Sequence, residues 1–64
     1  MRKITVWQTM GEYCVTDTKN YHSYIQNSRS IYRLKSFEFD SFEDFISWCC
    51  RTFIVTEDEI EIAW

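Results

Sequence analysis

The sequence predicts a small two-layer α+β domain, a mostly antiparallel sheet of four or five strands with one α-helix packed across it. Three observations carry this expectation. Several short segments alternate apolar and polar residues with period two, one segment alone repeats with helical period behind a capping signal, and 64 residues leave room for one core only. Residues 1–64 are therefore read as a single domain. A chain this short buries only about 60% of the surface its unfolded form exposes, so most large apolar side chains are needed inside. Twelve aromatic residues (three Trp, four Tyr, five Phe) help, because each ring buries a large area.

Ile4 to Met10 alternates Ile4, Val6, Gln8 and Met10 against Thr5, Trp7 and Thr9, and is rich in strand formers. Gly11, the sole glycine, follows and closes a hairpin at Met10-Gly11-Glu12. Glu12 to Thr16 resumes the alternation with Tyr13 and Val15. Asp17 to Ser30 contains two turn-like clusters, Asp17-Thr18-Lys19-Asn20 and Asn27-Ser28-Arg29-Ser30, around Tyr21 to Gln26. That central piece is read as a strand or irregular extended segment; a single helical turn is the alternative. Ile31 to Phe39 is extended, with Tyr32 and Leu34 on one parity and Phe37 and Phe39 on the other; a bulge near Lys35-Ser36 would bring all four to one side, and the alternative is that both faces of this strand are partly covered.

Asp40-Ser41-Phe42-Glu43-Asp44 is the clearest start signal: either Asp40 or Ser41 as N-cap places an acidic residue three positions on. Phe42, Phe45, Ile46, Cys49 and Phe53 then follow at helical spacing, which predicts a helix from about Ser41 to Thr52 with Phe42, Phe45, Ile46 and Cys49 facing the sheet. Glu59 to Trp64 alternates Ile60, Ile62 and Trp64 against Glu59, Glu61 and Ala63, a half-buried strand with an acidic outer face. The predicted order is strand, strand, doubtful strand, strand, helix, strand.

Three cysteines cannot form a complete disulfide framework, which argues for a reducing compartment. No secretory leader pattern and no apolar run near 18 residues is seen, so the expected location is cytoplasmic, with no membrane partner. Catalysis is poorly supplied. His22 is the sole histidine, nucleophile-elbow and phosphate-loop motifs are absent, and Cys49 falls on the apolar helix face, so the expectation is a protein that is not an enzyme and needs no cofactor. Cys14, Cys49, Cys50 and His22 number enough for zinc, but no Cys-x2-Cys pair exists and adjacent cysteines on a helix point about 100° apart, so no metal site is expected.

Charge is unevenly placed. Residues 1–35 hold six bases against two acids, residues 36–64 one base against eight acids, giving +4 and −7 within a total of −3. Asp40, Glu43 and Asp44 form one acidic group and Glu57, Asp58, Glu59 and Glu61 a second. If the last strand lies beside the helix, the two could join into a surface that docks on the basic site of a larger host protein. The expected function is accordingly a small non-enzymatic inhibitor or adaptor acting on a nucleic-acid-processing protein, in effect a nucleic-acid mimic. By analogy of size and charge, phages and mobile elements encode inhibitors of this build, and the location would then be the host cytoplasm. The competing surface interleaves aromatics and bases at Tyr21, Tyr24, Arg29, Tyr32, Arg33 and Lys35, the ingredients of a single-stranded nucleic-acid platform; the net acidity makes direct nucleic-acid binding the weaker alternative. A homodimer joining the basic half of one copy to the acidic half of another is the third reading.

Overall fold

A computed structural model describes residues 2–24 and 28–63, and it contains a four-stranded mixed sheet with one long helix across one face. The strands are β1 (Ile4–Thr9), β2 (Glu12–Asp17), β3 (Tyr32–Lys35) and β4 (Ile60–Ile62), in the order β3-β2-β1-β4. β1 pairs antiparallel with β2 and β2 with β3, whereas β4 lies parallel to β1. The hairpin works as the alternation requires. Thr9 stands opposite Glu12, and Gly11 at φ 79° supplies a conformation that a side chain would disfavour.

This register puts Ile4, Val6, Tyr13, Val15, Tyr32, Leu34, Ile60 and Ile62 on one face. Across it runs the long helix, Phe42–Phe53, which is α2 in chain order. Its N-cap is Ser41, whose Oγ accepts the Asp44 N–H at 3.3 Å, so the capping ambiguity is resolved one residue beyond Asp40. Phe45, Cys49 and Phe53 form the buried stripe and meet Ile4, Val6, Tyr13, Val15 and Val55 in the core. Rings dominate it: Phe45 lies 5.1 Å from Tyr13, 5.4 Å from Phe39 and 6.0 Å from Trp48 by centroids.

Two expectations are corrected. The doubtful strand at Tyr21 to Gln26 is not a strand in its described part: Thr18–Tyr21 is a helical turn, α1, and the chain then bends; Ile25 and Gln26 lie outside the described residues. The reason is on the far face of the sheet, where Thr5, Cys14 and Thr16 are buried and need cover. Following β2 directly, α1 supplies it. Thr5 Oγ1 donates to Thr18 Oγ1 at 2.9 Å, Asn20 Nδ2 donates to Thr16 Oγ1 at 2.9 Å, and Thr16 Oγ1 donates to the Ser30 carbonyl at 3.0 Å. Trp7 and Tyr21 close that layer with ring centroids 5.3 Å apart.

The bulge at Lys35-Ser36 is likewise replaced by a 3₁₀ turn at Ser36–Glu38, which ends the strand. Phe39 still reaches the core, against Tyr13 and Phe45, but Phe37 is left 80% exposed. A turn changes side-chain direction without keeping the pleat, so the parity break need not bring every ring inside.

Candidate functional site

The two acidic groups are each held by a cap. Ser41 fixes where α2 begins, and this turns Glu43, Ile46 and Ser47 along the flank that faces β4. Between α2 and β4, the Thr56 cap fixes a 3₁₀ turn at Glu57–Glu59. There Glu59 bends back on its own turn: its Oε1 accepts the Thr56 N–H at 2.9 Å and the Thr56 hydroxyl at 3.2 Å. Glu57 and Asp58 remain at the rim. The result is a groove of about 540 Å³ whose floor is Ile46, Ile60 and Ile62 and whose rim carries Glu43, Glu57 and Asp58.

Not every predicted carboxylate joins it. Asp40 and Asp44 line a second depression on the opposite flank of α2, with Glu38, Trp48 and Arg51, and Ser47 borders both. Glu61 alternates to the far face of the sheet, where its Oε1 lies 3.2 Å from His22 Nε2. Three of the seven predicted acids therefore share one groove, two sit across the helix, one is spent in a cap, and one faces away.

The alternative basic and aromatic set is dispersed. Tyr21 packs on Trp7 in α1, while Tyr24 is fully exposed and Arg29 belongs to the 3₁₀ turn at Ser28–Ser30. Tyr32 points to the α2 face, with its ring 5.4 Å from Phe53, whereas Arg33 and Lys35 alternate to the other face and Lys35 Nζ lies 3.7 Å from Glu12. Consecutive strand residues cannot share a face, which is what a single platform would have required.

The cysteines are set by burial. Desolvation pushes the Cys49 thiol from its ordinary 9.0 up to about 12, with neighbouring Cys50 adding to the rise, and desolvation likewise raises Cys14. Neither is disposed to form a thiolate. Cys50 is partly exposed, and His22, the one histidine, sits with Glu61 rather than beside a thiol. Among the described residues no three of His, Cys, Asp and Glu converge as a metal site would require. No described helix is long and apolar enough to cross a membrane.

Sequence reasoning overlooked the apolar floor. The alternation places Ile60 and Ile62 on the inward side of a half-buried strand, yet Ile62 is 45% exposed, because β4 is three residues long and lies at the sheet edge. Because the alternation runs on past Ile62 in the sequence, the only signal there was the acidic run Glu57-Asp58-Glu59 just before it. The chain matches no family model, no curated protein and no solved structure.

Proposed function

We propose that this protein is a non-enzymatic binding module that docks on a basic site of a larger, nucleic-acid-processing protein, through the groove between α2 and β4. One observation carries the reading: exposed Ile62 and half-buried Ile46 and Ile60 line one groove with the carboxylates of Glu43, Glu57 and Asp58. An apolar floor supplies burial, while a carboxylate rim selects cationic surfaces and repels acidic ones. Phosphate-binding grooves offer that combination of cations around packing surface, which makes the module a mimic of polyanionic nucleic acid. The dispersed Tyr and Arg side chains give no comparable support to direct nucleic-acid binding.

The test is competitive capture from a host lysate. Proteins retained by the immobilised wild-type chain should be displaced by duplex DNA and by salt, and lost when Glu43, Glu57 and Asp58 are together replaced by lysine. They should still be retained when Arg29 and Arg33 are replaced by alanine. Capture that is indifferent to the lysine replacements would overturn the proposal, as would micromolar binding of the purified chain to single-stranded DNA or RNA.

A further inference from the structure

The sheet has two outer edges, and among the described residues neither is paired: β3 bonds only to β2, and β4 only to β1. β3, β1 and β4 all run in the same direction, since β1 to β2 and β2 to β3 are antiparallel steps and β1 to β4 is parallel. The edges also carry complementary patterns. Tyr32-Arg33-Leu34-Lys35 places apolar residues on the α2 face and cations on the far face; Ile60-Glu61-Ile62 places apolar residues on the α2 face and an anion on the far face.

The backbone phase agrees. The Ser36 N–H donates to the Gly11 carbonyl at 3.0 Å, so Tyr32 and Leu34 direct their main-chain groups to β2 while Arg33 and Lys35 direct theirs outward. On the other edge the Ala63 N–H donates to the Val6 carbonyl at 2.8 Å, so Glu61 and Ala63 face β1 and Ile62 faces outward with the Ile60 carbonyl. Only the Ile60 N–H is already taken, by Glu57.

We infer that the protein assembles with itself, the β3 edge of one copy adding in parallel to the β4 edge of the next. In one register three bonds form between the outward groups of the two edges. The Arg33 N–H donates to the Ile60 carbonyl, the Ile62 N–H to the Arg33 carbonyl, and the Lys35 N–H to the Ile62 carbonyl, leaving the occupied Ile60 N–H undisturbed. The same register sets Tyr32 beside Ile60, Arg33 beside Glu61 and Leu34 beside Ile62, with like faces aligned. Pairing of identical edges is opposed, because β4 against β4 brings Glu61 toward Glu61 and β3 against β3 gathers Arg33 and Lys35. A β3-to-β4 contact is head-to-tail, so it forms a ring or an open series rather than a two-fold dimer. The edges need no outside partner, but Ile60 and Ile62 also floor the groove between α2 and β4, so the assembly and the docking proposed there compete for the same edge.

Sedimentation velocity over a concentration series up to millimolar tests this. The wild type should self-associate reversibly beyond dimer, and added salt should weaken it. Arg33→Glu and Glu61→Arg should each weaken association by about tenfold, and the Arg33→Glu/Glu61→Arg double variant should recover it. Lys35→Pro removes one outward N–H without touching the β2 ladder, and it should weaken association too, so the test survives if a charge variant proves unfolded by circular dichroism. His22→Ala should assemble as the wild type does, which separates the edge contact from the His22–Glu61 pair. A monomeric wild type throughout the series, reversals that associate normally, or a double variant no better than its parents would overturn the inference.

Discussion

Ile54 carries the least expected backbone in the molecule, a β-branched residue at φ 55°, ψ 56° that is 89% exposed. The helix stops there with no glycine to help. The Val55 N–H bonds the Cys50 carbonyl at 3.2 Å, six residues closing the turn, and Val55 is buried beside Cys49 in the core, so tertiary packing holds a conformation that costs about 1–2 kcal/mol for an L side chain. Ile54→Gly should therefore stabilise the fold by about 1 kcal/mol and raise the melting temperature by roughly 4–8 °C, as calorimetry can check. Nothing in Thr52-Phe53-Ile54-Val55 announces a left-handed residue, so this feature was not legible in the sequence. The thiols were. Only Cys49 shares the face of Phe42 and Phe45, and in the native protein Cys50 should label readily while Cys49 and Cys14 stay protected until denaturant is added. With the folded Cys49 thiol raised to about 12, the unfolded chain loses a proton near pH 9 that the folded chain keeps. The stabilising contribution is complete below that pH and is lost as pH rises from about 9 to about 12. Urea titrations should show stability falling across this window, and Cys49→Ala, although less stable overall, should fall less steeply.

Elements were legible where their signals are local. The hairpin rests on one glycine between two alternating runs, and α2 on a cap followed by an apolar stripe; both are set by neighbours in sequence, and both lie within a residue of their expected limits. Burial of Phe45 at the centre of the stripe makes it the test of helix docking: Phe45→Ala should cost roughly 3–5 kcal/mol and leave the chain unfolded, with loss of near-ultraviolet dichroism. α1 was missed because four residues are too few to show a period, and because its cause is distant. Thr5 and Thr16 fall opposite the apolar side of alternating strands, and only the folded sheet shows them buried and hydrogen-bonded under the returning chain. Asn20→Ala removes a bond to the Thr16 hydroxyl and should cost about 1 kcal/mol, whereas Lys19→Ala, on the exposed side of the same turn, should be near neutral by chemical denaturation.

For the whole molecule, the charge asymmetry could be counted in the sequence but its geometry could not. Alternation sends Glu61 through the sheet to His22, the Thr56 cap consumes Glu59, and the helix itself divides Asp40 and Asp44 from Glu43. This division gives the docking proposal a kinetic signature. Carboxylates outside the contact steer a basic partner without being desolvated, so lysine at Asp40 and Asp44 should lower the association rate and flatten its salt dependence, with little change in dissociation. Within the groove the balance reverses. Ile62→Asp places an unpaired charge on a floor that binding would cover, and it should raise the dissociation rate, about tenfold or more, while association stays steered by the remaining acids. Surface plasmon resonance with the captured partner, across salt concentrations that shrink the screening length from about 10 Å to about 3 Å, reads both rates. Equal losses from the two flanks would mean that the partner feels only total charge, and the apolar floor between α2 and β4 would then have no part in recognition.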